Sequence, residues 1–219
     1  MSLVELIARA DARGLAASGL ACVERCLPLL GGDDALLRPL WATLSDGVDE
    51  DTARHAWAEE LERVRDGLAG AGVGAGAGGG AGGGAGGADG GGAGGAGDLE
   101  DALAGAGDPG GVGDADDAVA LVRRMLDAAP AERTEAGLRE WAGVCSAASL
   151  GVHRLLDPGQ GAGTQDALPL VDAELRRQTA VLELLAGHGA AGLRGALEVA
   201  TEGRRVLRAV LSRRDRTRA

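Results

Sequence analysis

Cys22 and Cys26 stand four residues apart in the stretch CVERC, and on a helix that spacing puts both thiols on one face. Two thiols on one face suit a metal or iron–sulfur site, or a redox pair. Cys145 is the third cysteine of the chain, and His153 is the histidine that would complete a set of four ligands. A radical-type cluster motif, C-x3-C-x2-C, needs a further cysteine at position 29, where the chain has Leu29. The competing reading is packing, because cysteine often behaves as a small buried hydrophobe and Leu20, Val23 and Leu27 surround the pair. Packing is the reading adopted. Cys22, Cys26 and Cys145 stay as candidate metal or redox residues, and no cofactor is expected.

A second constellation is Asp51, His55 and Glu59, one helix face that could supply ligands or a general base. A zinc helix wants H-E-x-x-H, which is absent, and the E-x-x-H pairs of di-iron bundles are absent too. Three residues before His55, His153 and His188 stand Thr52, Leu150 and Leu185. The face reads as a solvated one with weak ion pairing. Ser146 and Ser149 lie among small residues inside a helix, and no G-x-S-x-G elbow appears. The chain is expected to be a non-enzyme.

The tract from Gly72 to Gly97 contains G-x-G-x-x-G at Gly74, Gly76 and Gly79, but almost any window of it would. A phosphate loop also needs a preceding strand and a helix opening behind it. Without Lys, the GK[ST] form is impossible. Gly and Ala bury too little surface to offset the entropy of ordering. The segment is expected to be a tolerated, disordered linker, and roughly 45 such residues span about 35–40 Å r.m.s..

Charge is unevenly placed. From Arg204 to the end, seven Arg face the single acid Asp215, about +6, so the rest of a chain of net charge −11 carries about −17. Such asymmetry suggests a partner for the basic end. Arg204, Arg205, Arg208, Arg213, Arg214, Arg216 and Arg218 are therefore the candidate interaction residues, with Arg204, Arg205 and Arg208 off the apolar stripe and the rest beyond it, where the helix frays. Nucleic acid is one partner for them, although the acidic remainder repels phosphate and no aromatic side chain accompanies the charges. The alternative is a helix C-terminus enriched in cations to match its dipole.

The elements behind these residues follow from an unusual composition. Lys, Asn, Phe and Tyr are absent, Ile7 is the only isoleucine, and the aromatics are Trp41, Trp57 and Trp141. The bias matches a GC-rich, bacterial-type genome. The core must then be Leu, Val and Ala, which suits closely packed helices and not sheets.

Ser2 and Glu5 form a capping box, followed by a helix whose far end Gly14 and Gly19 obscure. A second helix is expected over about 18–27, stopped by Pro28 and Gly31–Gly32; Asp33 caps a short piece restarted at Pro39; and a longer helix follows over about 51–68. Beyond the tract, helices are expected over about 114–128 and from Thr134 along the seam Leu138, Trp141, Cys145, Ala148, Val152, Leu155. Two more follow. One covers about 166–186 on Leu168, Val171, Leu175, Gln178, Leu182 and Leu185; the other covers about 190–212. Gln178 on a Leu-rich seam would fix register or line a small pocket.

These elements predict an all-α antiparallel bundle of about seven or eight helices, interrupted by the Gly/Ala-rich loop. The segments are 1–68, 69–113 and 114–219, with the two helical blocks fused into one domain. The start MSLVELIARADARG lacks a basic n-region, and no window is apolar enough for a membrane span. A cytoplasmic protein without membrane contact is expected, working through a protein partner as an adaptor, regulator or immunity-type factor.

Overall fold

The computed structural model describes residues 1–33, 35–46, 50–72, 113–157 and 168–218. They form an all-α bundle: α1 (Leu3–Arg9), α2 (Ala12–Cys26), α3 (Arg38–Ala42), α4 (Glu50–Gly72), α5 (Gly113–Asp127), α6 (Glu135–Leu156), α7 (Pro169–His188) and α8 (Leu193–Arg218). Short 3-10 turns occupy Leu27–Leu30 and Gly189–Gly192. The loop expected over 69–113 lies almost wholly outside the described residues, and the helices on either side end at Gly72 and begin at Gly113.

Local caps explain the boundaries. At α1 the Glu5 N–H donates to Ser2 Oγ (3.3 Å) and the Ser2 N–H to Glu5 Oε2 (2.7 Å), the reciprocal box expected there. The next boundary corrects the expectation of a second helix starting near Ser18. Asp11 Oδ1 accepts the Gly14 N–H at 2.7 Å, so α2 opens at Ala12 and carries Gly14 and Gly19 inside it. Asp33 Oδ1 accepts the Ala35 N–H (2.6 Å), and Thr134 Oγ1 accepts the Gly137 N–H (3.2 Å) to open α6. The carbonyls left over at the end of α5 are taken by the Arg65 guanidinium, which donates to the backbone oxygens of Leu126, Asp127 and Ala129.

Helix α2 is the axle of the bundle. Every residue from Gly14 to Cys26 is buried, and the helix packs against α5, α6, α7 and α8. One continuous core joins Trp57, Leu61 and Val64 of α4 to Leu138, Trp141 and Val152 of α6, so residues on both sides of the tract share it. At its centre the Trp57 and Trp141 rings meet edge to face, 5.7 Å apart at 76°, an arrangement favoured by the ring quadrupole. Each indole N–H is satisfied by a carbonyl at 2.8 Å, Pro130 for Trp57 and Met125 for Trp141.

Trp141 reaches α2 over Gly19, where a Cβ would lie 2.6 Å from the ring. Glycine is there because two helices pass too closely for a side chain. Replacing it, as Gly19→Val, forces the ring or the helix to move, and overpacking of this kind costs about 1–3 kcal/mol. A thermal melt should show Tm lowered by about 2–10 °C. An unchanged Tm would mean that Trp141 is not seated on this glycine.

The seam of α6 is buried as expected from Leu138 to Val152, with Leu155 half-buried. The seam of α7 is buried as expected at Gln178, Leu182 and Leu185, but it shifts at its N-terminal part. Leu175 is 42% exposed, and Glu174 takes the inward position at 0%. Helix α8 also differs, running unbroken to Arg218 where fraying was expected after 212.

Candidate functional site

Between Arg13 and Asp33 the only charged residues are Glu24 and Arg25. Helix α2 has no solvent face on which to place them, so both are buried, at 3% and 0% exposure. Each must therefore be paired.

Arg25 reaches α7. Its Nε donates to Glu174 Oε2 at 2.8 Å and to Oε1 at 3.1 Å, and its Nη2 donates to Oε1 at 2.7 Å. Glu174 Oε1 also accepts from Ser149 Oγ of α6 (2.7 Å) and from Gln178 Nε2 one turn on (2.9 Å). Gln178 in turn accepts from Ser146 Oγ (2.7 Å) and donates to the Ser146 carbonyl (3.3 Å). A polar layer thus ties α2, α6 and α7 together inside the core. Room for it is made on α8 at Gly203, where a Cβ would lie 2.3 Å from Arg25 Cδ.

Glu24 points to the other side of α2. Its Oε1 accepts from Arg204 Nη1 of α8 at 2.5 Å, and its Oε2 from Trp41 Nε1 of α3 at 3.2 Å. Arg204 is 6% exposed. It leaves the exposed basic set in which the sequence reading placed it, because the position sits beside Gly203 on the buried stripe.

The electrostatics follow from burial and pairing. Burial alone would raise the Glu174 carboxyl, but the Arg25 guanidinium, His153 and the hydrogen bonds hold it down at about 2. Burial alone would lower Arg25, yet Glu174 outweighs it and keeps the guanidinium charged. His153 lies 3.7 Å from Glu174 Oε2, but burial pushes its pKa below the usual value and keeps the ring neutral. That contact is not an ion pair at neutral pH. Its Nδ1 faces the Ser149 carbonyl at 2.8 Å, which assigns the proton to that nitrogen.

All three cysteines lie in the core, two of them against this layer. All are free and buried; Cys22 Sγ accepts from Arg25 Nη2 (3.3 Å), and Cys26 Sγ meets Ser149 Oγ (3.6 Å). Cys145 is buried in the same core cluster as both others. Burial pushes Cys22 up to about 12, and Cys26 and Cys145 are raised as well. Without a partner cation the three sulfurs are neutral thiols. No group of three or more metal-ligating side chains is assembled among the described residues.

The other candidates stay apart. His55 is exposed, with Nδ1 on the Asp51 carbonyl (2.7 Å), while Asp51 pairs with Arg54 and Glu59 with Arg63 at 3.6 Å. Along α8, Arg205, Arg208, Arg213 and Arg216 are exposed, while half-buried Arg214 donates to the Leu155 carbonyl (3.2 Å). The side chain of Arg218 lies outside the described set. Sequence reasoning missed Glu24, Arg25 and Glu174. For the first two a signal existed, two charges alone in nineteen residues without another.

One open groove of about 490 Å³ runs between α7 and α8. Ala173, Ala180 and Val199 line it, between Arg176 and Arg177 on α7 and Glu198 and Glu202 on α8. None of the described helices is long and apolar enough to cross a membrane. No family model, curated protein or solved structure matches the chain.

Proposed function

We propose that the chain works by binding another protein, and that the α7–α8 groove is its contact face. The observation that carries this reading is the groove itself. Small side chains in its floor allow a helix to approach closely, and charges of both signs flank it. That is the composition of a helix-in-groove contact. The interior points the same way: its titratable groups are spent on holding helices together, with neutral thiols and a fully paired carboxylate.

A second reading is nucleic-acid association through the exposed arginines of α8, Arg205, Arg208, Arg213 and Arg216. One experiment separates the two. Affinity capture from host lysate, with and without nuclease, compares wild type, Ala180→Arg and a chain lacking residues 213–219. The expected result is one near-stoichiometric partner, lost with Ala180→Arg while the melting curve is unchanged, and kept without the tail. Capture that survives Ala180→Arg would overturn the groove. Binding that needs the tail and weakens steeply with salt would support nucleic acid instead.

A further inference from the structure

The groove carries its charges in an order that favours one particular partner. Its basic edge, Arg176 and Arg177, belongs to α7, and its acidic edge, Glu198 and Glu202, belongs to α8. The helices run antiparallel through the short Gly189–Gly192 turn, and Leu184 packs on Gly195. Counting back from that contact puts Arg177 level with Glu202, and the two do influence each other electrostatically. Acid and base therefore face each other across the groove at one height.

We infer that the face fits a second copy of this chain. A twofold axis lying along the groove places α7 of one protomer over α8 of the other without changing height. The basic edge of each then meets the acidic edge of its partner, and Ala180 of each approaches Val199 of the other. An isologous interface needs this self-complementarity, and the product is a four-helix unit of two hairpins. Arg176 supplies a free charge for it: it is exposed and has no ion pair among the described residues. Glu202 is exposed too, and its bond to Arg205 is a loose 3.8 Å. The inference rests on the reading of the groove as a protein-binding face and names the partner.

Charge exchange tests it. Arg176→Glu cancels the net charge of the basic edge, where Arg177 remains, and Glu202→Arg cancels that of the acidic edge, where Glu198 remains; both positions are exposed, so both variants should keep the wild-type melt. Light scattering after gel filtration should give twice 21.7 kDa for the wild type. Each variant alone should self-associate about tenfold or more weakly. An equimolar mixture of the two should recover the dimer, because both 176–202 contacts are again of opposite sign. A wild type that stays at 21.7 kDa at all concentrations overturns the second copy; if Ala180→Arg still abolishes capture from lysate, the groove stands with another occupant. A dimer indifferent to both reversals, or a mixture that stays monomeric, also overturns the inference.

Discussion

Glu174→Gln should destabilise the protein by about 3–5 kcal/mol, the cost of leaving a buried charge without its partner. The substitution keeps the size of the side chain and an oxygen for Ser149 and Gln178 to donate to, but it also sets an amide donor against the Arg25 Nε–H, so the loss combines the charge with one hydrogen bond. Arg25 is left at 0% exposure with no carboxylate to face. It has no route to water, since Gly203 of α8 lies directly against its stem. Urea unfolding should show a lower midpoint with an unchanged slope.

The partner variant decides the interpretation. Arg25→Met/Glu174→Gln removes both charges, and with them the Nη1 of Arg25, which is buried with no hydrogen-bond partner. Removing both charges of a buried pair costs far less than stranding one of them, so most of the loss should return. If Glu174→Gln costs less than about 1 kcal/mol, the pair is behaving as an exposed one and the buried polar layer is misread. If the double variant is as unstable as the single, the Arg25 stem matters through packing and not through charge.

What was legible in the sequence depended on whether local chemistry or tertiary packing decided the outcome. Ser2 with Glu5, and Thr134 before α6, were readable because a cap is satisfied within three residues of itself. The seam from Leu138 to Val152 was readable because only one face of α6 is apolar enough to bury. Asp11 was passed over because Gly14 and Gly19 weaken a helix on propensity alone. Their cost is offset in three dimensions, by the close approach of Trp141 to Gly19.

Glu174 was illegible for a deeper reason. Periodicity ranks positions by apolarity, and Leu175 outranks Glu174 on any such scale. The helix nevertheless turns Glu174 inward, because Arg25 is already fixed in α2, 149 residues away, and needs a carboxylate. A charge matched across that separation leaves no local trace at the second residue. At the first it leaves one: α2 is buried on all sides and still carries Glu24 and Arg25. Gln178 shows the intermediate case, a polar residue visible on its seam whose need for hydrogen-bond partners is met by Ser146 and Glu174.

The same layer should make the fold sensitive to acid in two separable stages. His153 is neutral in the folded chain because burial lowers its pKa from 6.5. The unfolded chain binds that proton more readily, so the stabilisation is complete above pH 6.5 and begins to fall below it. Glu174 follows lower down. Its folded pKa is near 2 against 4.5 unfolded, so its contribution is complete above 4.5 and lost as pH falls toward 2. The second stage amounts to about 3 kcal/mol at one pKa unit per roughly 1.4 kcal/mol. Urea midpoints measured from pH 7 to pH 3 should therefore decline for the wild type, gently at first and steeply below pH 4.5. His153→Gln should flatten the upper stage and keep most of the lower, since Arg25 is the stronger hold on Glu174. Arg25→Met/Glu174→Gln should do the reverse, since losing the carboxylate lowers His153 further and leaves the upper stage in place. The difference between each variant and the wild type cancels the background of surface carboxylates, which is large in a chain of net charge −11. A double variant that loses stability below pH 4.5 as steeply as the wild type would place the acid sensitivity outside the Arg25–Glu174 pair.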